Sequence, residues 1–248
     1  MTDARLRLDQ ALVERGLFPS RARAKGAIEA GLVKVGGRAV LKCSTAIDPQ
    51  ADLQVFGDVH DYVSRGGVKL AAGLDAFCVD PAGLTCLDLG ASTGGFTEVL
   101  LRRGAAKVYA VDVGHDQLHP RIAADRRVVN LERTHAKDLQ PTIIPDAIGL
   151  VVCDVSFISL TKALAPALAL AAPCARLIAL VKPQFEVGPE GVGKGGVVKD
   201  VAAGPRIAAQ ISSWLQAAHG FQPLGIIESP IDGGDGNREF LLGALRSA

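Results

Sequence analysis

The sequence predicts an α/β protein in which a doubly wound, mostly parallel sheet follows a small α+β domain. From about residue 84 onward, apolar runs of strand length alternate with helical stretches, which is typical of parallel strands joined by crossover helices. Residues 1 to about 60 instead alternate short elements with turn residues. We therefore predict a domain at 1–60, a linker with a leading helix at 61–83, and a second domain at 84–248.

The first domain begins with two predicted helices. Residues 8–15 place their apolar side chains on one face, and Gly16 ends that helix. Ser20 is a good N-cap for a second helix that ends at Gly31. A hairpin over residues 32–40 follows, because two short apolar runs flank a pair of glycines, and residues 52–56 supply another strand.

Basic side chains cluster in this first domain. Three of them occupy the first turns of the second helix, where the helix macrodipole disfavours a cation by roughly 0.3–1 kcal/mol. Such a run is ordinarily a solvated surface, but two helices and a basic hairpin resemble the alpha-L RNA-binding motif, so we favour RNA contact. Aromatic residues are few, which favours recognition of phosphate and shape over base stacking. The expected RNA-binding residues are Arg5, Arg7, Arg21, Arg23, Lys25, Lys34, Arg38 and Lys42, with Arg65 in the linker.

The second domain carries a regular series of predicted elements. Apolar strands are expected at 84–89, 107–113, 127–131, 149–153 and 177–181, and helices at 96–103 and 160–170. Near the end of the chain, residues 224–228 and 238–242 flank a short glycine-rich stretch. A hairpin there would add an antiparallel last strand to the sheet.

A glycine-rich loop between the first strand and the first helix of this domain indicates a cofactor site. Glycines allow the backbone to approach a ligand closely, and Asp112 at the end of the next strand can bind ribose hydroxyls. The acid-x-Gly-x-x-x-Gly spacing differs from the dinucleotide fingerprint and suits S-adenosylmethionine. Asp138 either reaches the adenine amino group or is a turn residue. The expected cofactor-binding residues are Asp88, Gly90, Ser92, Thr93, Gly94, Gly95, Phe96, Asp112 and Asp138.

Ionisable residues recur at the ends of the predicted strands. Asp88, Asp112, Asp154 and Lys182 each lie at or near such an end. In open α/β sheets ligands bind outside the carboxyl ends of the strands. Each residue alone is also explained as a cap or turn residue, but together they favour a functional site.

Several motifs resemble one known family along essentially the whole chain. They are the linker motif Tyr62–Leu70, the cofactor loop Asp88–Phe96, and the segments Val111–Gly114, Asp154–Leu160, Val181–Glu186 and Gly236–Leu241. The chain resembles the TlyA (hemolysin A) family of ribosomal RNA 2′-O-methyltransferases. That resemblance implies an alpha-L RNA-binding domain joined to a Rossmann-like class I, FtsJ-like methyltransferase domain.

The resemblance also implies a reaction. The family's Lys-Asp-Lys-Glu catalytic set falls on Lys69, Asp154, Lys182 and Glu239, its cofactor is S-adenosylmethionine, and its acceptor is a cytidine ribose hydroxyl in large-subunit RNA and, in some members, small-subunit RNA. Lys182 is our candidate for contacting that hydroxyl, either as general base or as electrostatic support of an alkoxide. Where family members often have Thr-Asn-x-Arg, this chain has Thr134-His135-Ala136-Lys137, which affects the adenine side of the site.

The composition limits other classes of function. A net charge of +1 means that any basic footprint is local. Five scattered cysteines without a C-x-x-C pair indicate buried, reduced thiols in a cytoplasmic protein. No leader segment is apparent and the apolar run at 163–175 is too short to span a bilayer, so we expect no membrane association. His115 and His119 lack a further metal ligand, so we expect no bound metal.

Other interpretations remain open at this point. A non-catalytic RNA-binding assembly factor would use the same basic domain, a pore-forming lysin would need a membrane-active segment, and a methyltransferase could act on a small molecule or a protein.

The glycine-rich segment Pro183–Lys199 is either a lid over RNA or a long mobile connection.

Overall fold

The computed structural model describes residues 5–18, 20–29, 31–55, 62–233 and 235–247. The chain divides into two units, residues 1–61 and 62–248. Residues 62–83 of the predicted linker and leading helix (61–83) are therefore part of the second unit.

The described part of the first unit contains two helices and five short strands. The helices are α1 (Leu8–Glu14) and α2 (Arg21–Glu29), and both confirm the predicted helices. The strands are β1 (Leu6–Arg7), β2 (Val33–Val35), β3 (Arg38–Ala39), β4 (Ala46–Ile47) and β5 (Leu53–Val55). Strand β2 pairs antiparallel with β3 and β5, which confirms the hairpin, and β1 pairs with β4. Phe56, at the end of the predicted strand, lies outside the described residues.

Turn chemistry and a buried carboxylate hold this unit together. Gly36 and Gly37 have φ values of 55° and 79°, which the tight two-residue hairpin turn requires at both central positions. Ser20 caps α2, accepting a hydrogen bond from the backbone N–H of Arg23 at 3.3 Å. Asp9 is buried and pairs with Arg21 at 2.8 Å and with Arg7 at 2.9 Å. The cation in the first turn of α2 is therefore compensated by a carboxylate from α1.

The second unit is built on a seven-stranded sheet. Its strands are β6 (Thr85–Leu89), β7 (Lys107–Val111), β8 (Val128–Leu131), β9 (Ile148–Cys153), β10 (Ala171–Val181), β11 (Phe221–Glu228) and β12 (Phe240–Arg246), in the spatial order β11-β12-β10-β9-β6-β7-β8. Strand β12 pairs antiparallel with β10 and β11, whereas β6, β7, β8, β9 and β10 pair in parallel. This confirms the mostly parallel sheet with an antiparallel last strand.

Helices cover both faces of the sheet. Helices α3 (Gly66–Ala76), α4 (Gly95–Arg102) and α5 (Pro120–Ala123) contribute to one apolar cluster, and α6 (Leu160–Ala169) and α7 (Ala203–His219) to another. Neighbouring strand residues alternate between the two clusters, as Cys86 and Leu87 do. The sequence did not predict α7, and β10 begins six residues before the predicted strand because an irregular, bulged segment precedes its regular part.

The cysteines depart from expectation. Cys86 and Cys153 are buried, but Cys78 and Cys174 are exposed, and all five are free thiols. The prediction of uniformly buried thiols is wrong because Cys78 and Cys174 take left-handed backbone conformations (φ 52° and 60°) outside the regular pleat. Within the described ranges, no helix is long and apolar enough to cross a membrane.

The Asp9 ion pairs generate a prediction. The two arginines and their hydrogen bonds lower the pKa of Asp9 to about 2. This depressed pKa stabilises the first unit above pH 4, and the contribution is lost as pH falls towards 2. Because both arginines are about half exposed, we expect Asp9→Asn to cost about 1 kcal/mol at pH 7. Faster amide exchange in α1 and α2, with unchanged exchange in the second unit, would be the measured result. Asp52→Asn, at an exposed carboxylate of the same unit, is the control, and equal exchange in both variants would contradict the prediction.

Candidate functional site

The register of three neighbouring strands brings three ionisable residues to one edge of the sheet. Asp154 directly follows β9, Lys182 directly follows β10, and Glu239 directly precedes β12. Because β12 runs antiparallel and Phe240 pairs with Val181, its first residues lie beside the last residues of β10. The predicted catalytic residues from the sheet are therefore adjacent in space.

Two ion pairs organise this edge, and we call their four residues the tetrad. Lys69 of α3 pairs with Glu239, and Lys182 pairs with Asp154 at 2.5 Å. Lys69 and Glu239 are only 8% and 3% exposed. Burial raises the pKa of the Glu239 carboxyl, and the nearby Lys69 ammonium opposes that rise. Two cations and two anions balance here, so the loss of any one leaves an uncompensated charge.

The position of Lys69 depends on small residues between helices. A Cβ at Gly95 would lie 3.1 Å from the backbone nitrogen of Gly67, and a Cβ at Gly73 would lie 3.1 Å from the side chain of Ile178. Glycine at these positions lets α3 pack closely on α4 and on β10. That close packing holds Lys69 against the end of the sheet.

A cavity of about 590 Å³ opens beside the tetrad. Its volume is in the usual range for small-molecule sites. Apolar walls come from the strand ends and α6, and polar groups come from the loops that follow the strands. The lining residues include Leu89, Gly90, Ser92, Val111, Asp112, Asp154, Val155, Ser156, Phe157, Ala163 and the segment 134–137.

Asp112 ties two loops of this cavity together. Its carboxylate accepts hydrogen bonds from the backbone N–H of Ser92 at 2.8 Å and of Gly114 at 2.7 Å. Each carboxylate oxygen keeps a lone pair for a further donor such as a ribose hydroxyl. Gly90 has φ 81°, and a Cβ there would lie 2.5 Å from the carbonyl oxygen of Asp154. The glycine loop therefore passes directly over the backbone of Asp154.

The structure places the predicted cofactor residues in two groups. Gly90, Ser92 and Asp112 line the cavity. The other six are outside the lining: Asp88, Gly94, Gly95 and Phe96 are buried, and Thr93 and Asp138 are exposed. Phe96 belongs to the apolar core, where its ring packs against Gly66, so its position is explained by packing of α3 on α4.

Asp88 is a buried carboxyl behind the glycine loop. The hydroxyl of Thr97 donates to its Oδ2 at 2.6 Å, and Oδ1 has no partner within the described part of the chain. Burial raises the pKa of Asp88 to about 7, and the hydrogen bond from Thr97 opposes the rise.

Sequence reasoning missed an exposed aromatic ring at this site. Phe157 lines the cavity and is 90% exposed, and its ring centroid lies 5.0 Å from that of Phe185. Its φ of 64° is costly for a bulky residue. Phe157 stood within a family motif, but neither its exposure nor its backbone conformation can be inferred from residue type.

The predicted RNA-binding residues of the first unit differ in their surroundings. Arg7 and Arg21 pair with Asp9, and Lys25 lies 3.7 Å from Glu29. Arg5, Arg38 and Lys42 are exposed, and Arg23 and Lys34 are partly buried. Arg65, also partly buried, belongs to the second unit and precedes α3.

Two histidines, His115 and His119, precede α5. His119 Nδ1 accepts a hydrogen bond from the backbone N–H of Arg121 at the start of α5. Across residues 5–18, 20–29, 31–55, 62–233 and 235–247, no group of three or more histidine, cysteine and acidic side chains is arranged to hold a metal ion.

Comparisons with known proteins agree with this architecture. The family model of FtsJ-like methyltransferases matches residues 62–246, and that of the S4 domain matches residues 6–53. The 16S/23S rRNA (cytidine-2′-O)-methyltransferase TlyA of Mycobacterium tuberculosis is 46% identical, covering 96% of this chain and 89% of the relative. Hemolysin A of Brachyspira hyodysenteriae is 39% identical, covering 95% and 98%. The solved structure of a putative hemolysin from Streptococcus thermophilus is similar with a TM-score of 0.76 and 36% identity, covering 99% and 90%.

The buried Asp88 generates a prediction about pH. Because its folded pKa lies above the unfolded value, this group favours folding at low pH, and its contribution is lost as pH rises from about 4 to 7. Asp88→Asn cannot ionise and still accepts from Thr97. At pH 8 we expect the variant to unfold at a higher urea concentration than wild type, with a free energy of unfolding larger by more than about 1 kcal/mol. At pH 4 the two proteins should differ little.

Fluorescence of the single tryptophan, Trp214, follows this transition in the second unit. The matched control is Asp125→Asn, because arginine Arg127 lowers the pKa of Asp125 to about 2 and the variant should destabilise at pH 8. An Asp88→Asn curve parallel to wild type across this pH range would contradict the prediction.

Proposed function

This chain belongs to the TlyA family of FtsJ-like methyltransferases, and from that premise we propose that it transfers a methyl group from S-adenosylmethionine to the ribose 2′-hydroxyl of a cytidine in ribosomal RNA. The observation that carries the proposal is the tetrad beside the cavity. Asp154 belongs to both, and Ser156, which also lines the cavity, accepts a hydrogen bond from Lys182 Nζ at 2.9 Å. The charged edge and a small-molecule site are therefore contiguous.

The residues of the cavity fit S-adenosylmethionine. Asp112 has remaining acceptor capacity for ribose hydroxyls, and Leu89, Val111, Val155 and Ala163 offer apolar surface to an adenine ring. Asp88, which lies outside the lining behind the glycine loop, keeps a buried acceptor, Oδ1, with no donor among the described residues. S-adenosylmethionine supplies an electrophilic methyl group on a positively charged sulfur when it is bound.

Lys182 is the residue we assign to the reacting oxygen. A ribose hydroxyl becomes a better nucleophile as its proton leaves, and a fixed cation stabilises the negative charge that develops on oxygen. Asp154 and Ser156 hold the Lys182 ammonium at the wall of the cavity. We assign this lysine an electrostatic role, because oxygen atoms of Asp154 and Ser156 fix the position of its ammonium group. Asp154, beside the ammonium, is the acceptor we assign to the departing proton.

The second ion pair keeps this environment neutral. Lys69 and Glu239 are more deeply buried than Lys182 and Asp154, and the charges of Lys182 and Asp154 both act on the Glu239 carboxyl. We assign Lys69 and Glu239 to fixing the electrostatic background of Lys182. Removing either leaves the other as an unpaired buried charge.

Phe157 offers a surface for the base of the target nucleotide. An exposed aromatic ring beside a methyltransferase cavity is suited to stacking on a base that has left its helix. Such stacking is worth about 1–3 kcal/mol per base. The basic residues of the first unit, which matches the S4 domain, supply contacts to RNA phosphates.

Lys182→Ala tests the reaction. With radiolabelled S-adenosylmethionine and purified, unmodified ribosomal subunits, we expect kcat to fall at least 100-fold because the cation at the reacting oxygen is gone. Cofactor affinity should stay near that of wild type. Lys107→Ala is the matched control, since Lys107 pairs with Asp146 at 2.6 Å at the opposite edge of the sheet.

Equal labelling by wild type and Lys182→Ala would remove Lys182 from the chemistry but keep the enzyme. No labelling of either subunit by wild type, despite cofactor binding, would instead favour the RNA-binding assembly factor.

Phe157→Leu tests the stacking surface. The substitution keeps an apolar side chain but loses the ring, and exposure makes a folding defect small. We expect the KM for ribosomal subunits to rise, or kcat/KM to fall, by about 5- to 150-fold, which corresponds to about 1–3 kcal/mol. Phe157→Tyr retains the ring and should keep most of the activity. Equal activity of the leucine and tyrosine variants would show that the ring does not bind the base.

A further inference from the structure

The segment between Asp154 and α6, residues 155–159, forms one wall of the site, and we call it the acceptor loop. Three side chains from the neighbouring segment 182–186 contact it. Lys182 donates to Ser156, the ring of Phe185 packs against Phe157, and Glu186 accepts two hydrogen bonds. The acceptor loop is therefore attached along its length to the turn that follows β10.

Glu186 makes the contacts at the far end of the loop. Its Oε1 accepts from the backbone N–H of Leu160 at 2.6 Å, and its Oε2 accepts from the hydroxyl of Ser159 at 2.9 Å. Leu160 is the first residue of α6, and Ser159 makes no capping bond of its own to the helix. Glu186 thus supplies, from another segment, the carboxylate that the start of a helix favours.

The backbone of the acceptor loop needs such support. Phe157 takes a left-handed conformation, which a bulky residue adopts only where its surroundings fix it. At one end of the loop, the Asp154 backbone N–H donates to the carbonyl of Leu89 in the sheet at 2.8 Å. At the other end, Glu186 holds the first turn of α6. Releasing that second end allows the loop to relax and Phe157 to leave its position.

We propose that Glu186 is a positioning residue that fixes the acceptor loop, so that Ser156 stays in contact with Lys182 and Phe157 stays at the cavity. This inference rests on the proposed function. Glu186 acts through Phe157 and does not touch the substrate. Glu186 itself does not line the cavity, whereas residues 155–158 all do.

The first experiment compares Glu186→Ala and Glu186→Gln with wild type in steady-state methylation of ribosomal subunits. We expect the alanine variant to lose at least tenfold in kcat/KM for the subunits. The Kd for S-adenosylmethionine should rise by a smaller factor, because Val155 of the same loop also lines the cavity. Glutamine keeps one carbonyl acceptor and should recover part of the loss. Amide exchange at Leu160 should accelerate in the alanine variant.

Asp125→Asn is the matched control. Asp125 is a partly buried carboxylate that accepts several hydrogen bonds from Arg127, ahead of β8 and at the opposite edge of the sheet. If loss of activity merely followed loss of stability, the activity of this control variant would fall as its unfolding midpoint falls. Rates are expressed per cofactor-binding site so that unfolded protein does not contribute to the comparison. Wild-type kcat/KM per site in Glu186→Ala would overturn the proposal.

A double-mutant cycle tests whether Glu186 acts through Phe157. If it does, the kcat/KM of the double variant Glu186→Ala/Phe157→Leu should lie within about twofold of that of the less active single variant. A loss equal to the product of the two single losses would overturn that route. Failure of wild type to methylate any subunit would overturn the proposed function and this inference with it, whereas a fully active Glu186→Ala in an active wild-type background overturns this inference alone.

Discussion

The second unit is organised around the need to pair two lysines with two carboxylates at one edge of its sheet. Burying a charge costs several kcal/mol unless an opposite charge and hydrogen bonds compensate it. Lys69 and Glu239 are 170 residues apart in sequence and nearly inaccessible to solvent, so only the folded sheet can bring them together. The antiparallel β12 is essential for this arrangement, because a parallel strand at that place would put Glu239 at the opposite edge. The antiparallel direction of the last strand is thus required for the charge pairing at the site.

Asp154 links the two halves of the site. Its carboxylate pairs with Lys182, its backbone N–H bonds to the end of β6, and its carbonyl lies directly under Gly90. The cofactor loop and the acceptor loop therefore meet at one residue. This junction explains why Gly90 must be glycine: a side chain there would collide with the Asp154 backbone and would displace the Lys182 contact together with the cavity wall.

Much of the fold was predictable because strand-length apolar runs and glycine turns are local signals. Asp112, Asp154 and Lys182 could be predicted as site residues from their place at strand ends alone. Lys69 and Glu239 could not, since Lys69 lies in a helix and Glu239 precedes an antiparallel strand. Only the family resemblance points to these two residues. Gly95 and Phe96 illustrate the opposite case, because a motif that suggests ligand contact also serves the packing of α3 on α4. The exposure of Phe157 depends on a left-handed backbone that no periodicity reveals.

The acceptor loop shows how a strained feature persists in a stable fold. A left-handed phenylalanine and an uncapped helix start are each unfavourable, and each would favour relaxation of residues 155–159. Glu186 and Phe185 oppose both tendencies from a segment that begins at Lys182. The same short segment carries Lys182, which we assign to the reacting oxygen. Residues 182–186 therefore hold both the Phe157 ring, which we assign to the base, and the Lys182 ammonium, which we assign to the hydroxyl. Their relative position is then set by side-chain contacts between the acceptor loop and residues 182–186.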